Sequence, residues 1–122
     1  MSIPAPDPRS FLPLTPAAFH ILLALAEGER HGYGISKEVK DRTDGAVRLG
    51  PGTLYRSIKQ LLGDGWIEES DERADPDLDD QRRRYYRLSP LGRRIAAAEA
   101  ARLADLVDLA RARRLLPGAD PA

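Results

Sequence analysis

Cysteine is absent from this chain of 122 residues, which excludes a disulfide scaffold, a thiol nucleophile and any thiolate-held metal. Histidine is nearly absent too. His20 and His31 are too far apart to pair on one helical face, and neither has a glutamate partner at zinc-site spacing. No phosphate-cradling glycine loop ends in Lys-Ser/Thr, and no Gly-x-Ser-x-Gly elbow occurs. Asp75-Pro76-Asp77-Leu78-Asp79 opens like a calcium loop, but Asp80 and Tyr86 stand where glycine and a bidentate glutamate are needed. The carboxylates of that stretch have no apolar surroundings to raise a pKa. Catalysis, a metal and a cofactor are therefore not expected. No apolar run approaches the ~20 residues needed to cross a bilayer. Residues 1–13 lack the basic start and apolar core of a signal peptide. The expected compartment is the cytoplasm, without membrane association.

Net charge is also missing, since 19 Lys+Arg balance 19 Asp+Glu. That balance hides segregation along the chain. Glu68, Glu69, Asp71, Glu72, Asp75, Asp77, Asp79 and Asp80 face a single base, Arg73, in their stretch. Arg82, Arg83, Arg84, Arg87, Arg93 and Arg94 then follow without an acid among them. A local basic surface is compatible with overall neutrality, whereas a globally basic coat is not.

What is present is helical patterning for one domain, with 42% hydrophobic residues to build a core. Residues 1–13, rich in proline, read as a flexible arm. Thr15-Pro16 is a hydroxyl cap followed by a first-turn proline, which starts a helix over 15–27 that ends at Gly28. Ile35 and Val39 share a face of a second helix over 32–43, in which Gly34 permits a close backbone approach. Pro51 opens a third helix in which Leu54, Ile58, Leu61 and Leu62 form one stripe, ending at Asp64-Gly65. Trp66-Ile67-Glu68-Glu69 and Arg84-Tyr85-Tyr86-Arg87-Leu88 read as an antiparallel hairpin around a long polar loop. Ser89-Pro90 repeats the cap signal and starts a long helix over 90–115.

This order, with a stripe-bearing third helix before a hairpin, is a winged helix-turn-helix layout. The fold class is mainly α, with a two-stranded wing and a long C-terminal dimerisation helix. The boundaries are 1–13 for the arm, 14–89 for the DNA-binding domain, 90–116 for the helix and 117–122 for a tail. Thr53, Tyr55, Arg56, Ser57 and Lys59 lie in the turns of the third helix that reach base edges when a helix enters a major groove. A solvated face, with Tyr55 half-packed on the core, is the other reading of those residues. Arg83, Arg84 and Tyr85 fall on the return strand of the wing, where they either meet phosphates or neutralise the acidic loop. In the last helix Leu103, Leu106, Val107, Leu109 and Ala110 widen the apolar face beyond what a three-helix core satisfies. A twofold dimer through these residues is expected, the alternative being packing within one chain.

The series Leu14-Thr15-Pro16, His31-Gly32-Tyr33-Gly34-Ile35, Leu49-Gly50-Pro51-Gly52-Thr53-Leu54-Tyr55-Arg56-Ser57-Ile58, Leu61-Leu62-Gly63-Asp64-Gly65-Trp66-Ile67-Glu68 and Arg84-Tyr85-Tyr86-Arg87-Leu88-Ser89-Pro90-Leu91-Gly92 resembles the PadR-type transcriptional regulators, in order and at family spacing. The resemblance implies a homodimeric repressor that binds a palindromic operator in double-stranded DNA and is released by a small-molecule effector. It places Tyr33 and Lys37 at phosphates, Tyr55, Arg56, Ser57 and Lys59 on the recognition helix, and Arg83, Arg84 and Tyr85 on the wing. The loop inside the wing is longer and more acidic than the family pattern. Trp66 is either core or a stacking platform for a ligand. A different class of function, a winged-helix module whose acidic loop docks a basic partner, fits the same layout.

Overall fold

The computed structural model describes residues 6–70, 73–74 and 82–118, with backbone pairing alone for 73–74 and 82–83. Proline-led caps set three of the helices. Thr15 accepts a bond from the Ala18 amide and starts α1, Pro16–Ala26. Ser89 does the same for Gly92 at the start of α4, Pro90–Ala112. α3, Pro51–Gly63, begins after Gly50 with no side-chain cap. α2, Gly32–Arg42, is capped by a histidine: His31 Nδ1 accepts from the Gly34 amide at 2.9 Å.

The core is one cluster in which Ile21, Leu22 and Leu25 of α1 meet Ile35 and Val39 of α2 and Leu54, Ile58 and Leu61 of α3. Trp66, Ile67, Tyr86 and Ile95 close it from the wing and α4. Trp66 is therefore core, with Phe11 edge-on to its ring at 5.4 Å. Phe11 belongs to a one-turn 3-10 helix, Pro8–Phe11, inside the stretch expected to be a free arm. Its packing on Trp66 gives that turn an apolar partner, which proline content alone does not reveal.

The hairpin forms between β2, Ile67–Glu69, and β5, Tyr85–Leu88, in the register Ile67↔Leu88 and Glu69↔Tyr86. Two features were not expected. β1, Arg30–His31, pairs with the other edge of β5, opposite Tyr86 and Tyr85, so the wing is a three-stranded sheet in the order β1-β5-β2. β3, Arg73–Ala74, and β4, Arg82–Arg83, pair as a second short ribbon within the long loop. The acids at 71, 72, 75, 77, 79 and 80 lie outside the described residues.

Two tight junctions fix α3 and α4 to the wing. After α3 the Gly65 amide bonds to the Leu62 carbonyl and the Trp66 amide to that of Leu61, with Gly65 left-handed at φ 78°. This is the reciprocal helix stop that favours glycine. At the start of α4, Ser89 Oγ donates to the Gly65 carbonyl at 2.6 Å and its amide to the Trp66 carbonyl at 3.1 Å. Gly92 then presses on that same Trp66 carbonyl, so close that a Cβ there would stand 1.8 Å from the oxygen.

Further along α4, one stripe changes its surroundings. Gly92, Ile95 and Glu99 are buried and Leu103 is half-buried, but Leu106 is exposed. At 1.5 Å per residue α4 is about 35 Å long and outruns the core that covers its first half. Among the described residues no helix is long and apolar enough to cross a membrane.

Candidate nucleic-acid interface

The side of α3 away from its buried stripe carries Thr53, Arg56, Lys59 and Gln60, all exposed. The 3.6-residue period sorts the expected contact residues into three groups. Thr53, Arg56 and Lys59 point outward together. Tyr55 lies on one flank and Ser57, half-buried, on the other. Ser57 borders a cleft shared with the Thr15 cap and Ala18 of α1, which Gln60 also lines.

The Arg56 guanidinium turns back toward the start of its own helix, 4.0 Å from where a Gly52 Cβ would be. With Gly50 supplying no side-chain cap, the first amides of α3 and this guanidinium put positive potential at one end of the helix. The glycines there leave the backbone open to close approach.

The Tyr55 flank leads to α2. A Cβ on Gly32 would meet Tyr55 Oη at 2.8 Å and Cε1 at 3.0 Å, so the ring lies against the first turn of α2. Next to it His31 caps α2. Its ring centroid is 6.3 Å from that of Tyr33 and 5.3 Å from that of Tyr85, the residue opposite it in the sheet. Because Nδ1 accepts the Gly34 amide, the ring proton of the neutral form sits on Nε2. A side chain on Gly34 would touch this ring at 3.3 Å. Tyr33 and Tyr85 thus flank one histidine at the start of α2, and Tyr55 lies against the neighbouring Gly32. Composition and motif spacing assign His31 no role. The signal was its place immediately before a helix, in the position of a cap.

The remaining expected residues are less free for a ligand. Lys37 pairs with Asp41 at 2.7 Å, and this contact raises the lysine pKa and lowers that of the aspartate. Both side chains are exposed, so solvent screens the pair and a phosphate can compete with it. Arg84 reaches Glu69 at 3.4 Å, and Arg87 reaches Glu68 at 3.6 Å and Glu29 at 3.7 Å. Some wing arginines therefore neutralise neighbouring acids. Arg83 lies in β4, and its side chain is outside the described residues.

At the other end of the molecule Glu99 was also missed. It is 2% exposed, and its carboxylate accepts from the Leu14 amide at 2.7 Å and from Arg102 Nε. The Arg102 bond, and then the Leu14 amide, hold its pKa below the usual value against the opposing effect of burial. The carboxylate thus ties the residue before the α1 cap to α4. A glutamate three residues before an arginine inside an apolar stripe was the available signal.

A family model described as the transcriptional regulator PadR-like family matches residues 21–98, a stretch that runs from α1 through the wing into α4. The chain belongs to the PadR-like family of transcriptional regulators. A transcriptional regulator of Mycobacterium tuberculosis, Rv3488, is 36% identical over 74 residues, which cover 61% of this chain and 63% of that one. The chain spans less than two thirds of the first curated relatives it matches, 22% of another. Among solved structures, a PadR family regulator from Clostridium difficile superposes with a TM-score of 0.67 at 21% identity, covering 80% of this chain and 96% of that one. Bacillus subtilis PadR, solved with operator DNA, superposes with a TM-score of 0.60 at 21% identity, covering 70% and 46%. These likenesses establish the winged-helix fold, and the family is one of regulators, not enzymes.

Proposed function

We propose that the chain is a homodimeric transcriptional repressor that binds a palindromic operator and is released by a small-molecule effector in the cytoplasm. The observation that carries the DNA-binding part is the outward row of Thr53, Arg56 and Lys59 on α3, flanked by Tyr55, Tyr33 and the wing. In a major groove Arg56 reads guanine through two parallel bonds, worth ~1–3 kcal/mol of discrimination. Lys37, Tyr33, Tyr85 and Arg84 then lie to the sides, where phosphates are met, and Arg83 belongs to the same wing. Ser57, on the flank toward α1, contributes less to this reading than Arg56 does.

The continuing stripe of α4 supports the dimer. Leu103, Leu106, Val107 and Ala110 extend the line that is buried in the first half of the helix, and Leu109 sits beside them. Leu106 is 50% exposed, Val107 37% and Leu109 47%, surface that an isologous helix pair would cover. Two recognition helices related by that twofold reach adjacent major grooves when they are ~34–36 Å apart.

Fluorescence anisotropy with DNA from upstream of the gene, against scrambled DNA at two salt concentrations, tests the proposal. Sequence-dependent binding that weakens steeply with salt is expected, because phosphate neutralisation releases counterions. Arg56→Ala is expected to lower operator affinity and narrow the preference over scrambled DNA. Equal binding of both DNAs by the native chain would refute sequence-specific recognition. Complete absence of DNA binding would favour a winged-helix module that docks another protein.

A further inference from the structure

Between the Pro8–Phe11 turn, the start of α1 and the C-terminal half of α3 lies a cleft of about 180 Å³. Its walls are Phe11, Leu14, Leu61 and Trp66, and its polar rim includes Ser57, Gln60 and Asp64. An apolar cavity of about 150 Å³ holds benzene, so the space suits a single ring with a short substituent. The electrostatics select the substituent. Among the described residues Asp64 is the one ionisable group lining the cleft, with no Lys, Arg or His beside it. Asp64 also caps α3, whose last turn has no basic residue, so the negative end of the helix adds to the carboxylate.

Ser57, Gln60 and Asp64 recur at i, i+3 and i+7, which places them in one row on α3. None of their side chains has a hydrogen-bond or ion-pair partner among the described residues. The row offers three acceptors: a hydroxyl, an amide carbonyl and a carboxylate. An alkylammonium group has three N–H donors. Phe11 and Trp66, packed edge-on, supply the aromatic wall for a ring. We propose that this cleft is a binding site for a small arylalkyl ammonium ion, its ring against Phe11 and Trp66 and its nitrogen on the Ser57–Gln60–Asp64 row.

Occupancy bears on DNA because the row belongs to the helix that carries Arg56 and Lys59. A ligand wedged between α3 and the start of α1 shifts the recognition helix relative to the core. This consequence rests on the DNA-binding reading above, whereas the site itself does not.

Trp66 is the only tryptophan, so its emission in the full chain reports the cleft directly and without DNA. The probes are 2-phenylethylamine, 2-phenylethanol and 3-phenylpropanoate, which share the ring and differ in charge. The amine should give a saturable change, the alcohol should bind roughly tenfold more weakly for loss of about 1.4 kcal/mol, and the carboxylate should give none. Asp64→Asn should bring the amine to the level of the alcohol, and Asp64→Lys should abolish its binding. Both substitutions are at an exposed position, and a thermal melt checks that the fold is retained. Equal responses to the three probes, or an amine response that survives Asp64→Lys, would overturn the site. Amine binding that leaves an operator titration unmoved would overturn its role as an effector site. If the chain ignores operator DNA while Trp66 still reports the amine, the DNA reading fails and the site stands.

Discussion

Gly92→Ala puts the packing of α4 on the wing to a test in which two physical effects have opposite signs. Considered as a helix position, residue 92 should gain about 1 kcal/mol from alanine, because glycine has more freedom to lose. Considered as a contact, it has no room. The added Cβ would stand 1.8 Å from the Trp66 carbonyl oxygen and 2.7 Å from its carbon. These are backbone atoms held by the Gly65–Trp66 helix stop and by the Ser89 amide, so no rotamer change relieves the overlap. The first turn of α4 must lift, which strains the bonds from Ser89 to Gly65 and Trp66. Overpacking costs typically ~1–3 kcal/mol, and an overlap this deep with backbone belongs at the top of that range. After the propensity gain is subtracted, the expected net loss is about 2 kcal/mol. For a domain of this size that lowers Tm by roughly 8 °C. Urea unfolding followed by Trp66 emission and by circular dichroism, at one fixed protein concentration, measures it. Gly63→Ala, at the end of α3 and with nothing within 4 Å of its Cβ position, is the control and should be neutral or stabilising. A Gly92→Ala variant as stable as the native chain would refute the close approach.

Three further outcomes are expected. His31→Ala should cost about 1 kcal/mol for loss of the α2 cap, whereas His31→Asn, which can accept the same Gly34 amide, should recover most of it; equal losses in thermal melts would count against the capping role. Glu99 has a folded pKa below its ordinary value of about 4.5, so its contribution to stability is present above that pH and is lost as pH falls through the folded value. Glu99→Gln should therefore flatten the acid limb of stability against pH, and an unchanged limb would remove Glu99 as its cause. Leu106→Glu combined with Leu109→Glu should shift the chain toward monomer in sedimentation, and a dimer that persists would rule out this face of α4 as the interface.

Helix identities were legible from local chemistry. Thr15-Pro16, Ser89-Pro90 and the Leu54–Ile58–Leu61 stripe act within one or two turns, so the residues that cause the structure are close together in the chain. The α3 face with Thr53, Arg56 and Lys59 followed from the same period, because whatever opposes a buried stripe is exposed. Periodicity did not tell which flank Tyr55 and Ser57 occupy, since that depends on where α1 and α2 lie around α3.

Tertiary structure decided the rest. Arg30–His31 is a strand only because β5 offers it a free edge, and two polar residues have no pattern of their own. Gly92 reads as a helix-weakening residue until the Trp66 carbonyl is placed against it. Glu99 reads as surface charge on a long helix, yet the Leu14 amide 85 positions away makes it a buried tie. Local sequence therefore determined which segments are helical and which α3 residues face outward, because caps and periodicity act at short range. Only the assembled fold could decide the third strand, the close approach of Gly92 to the Trp66 carbonyl and the buried carboxylate, because each depends on a partner distant in the chain.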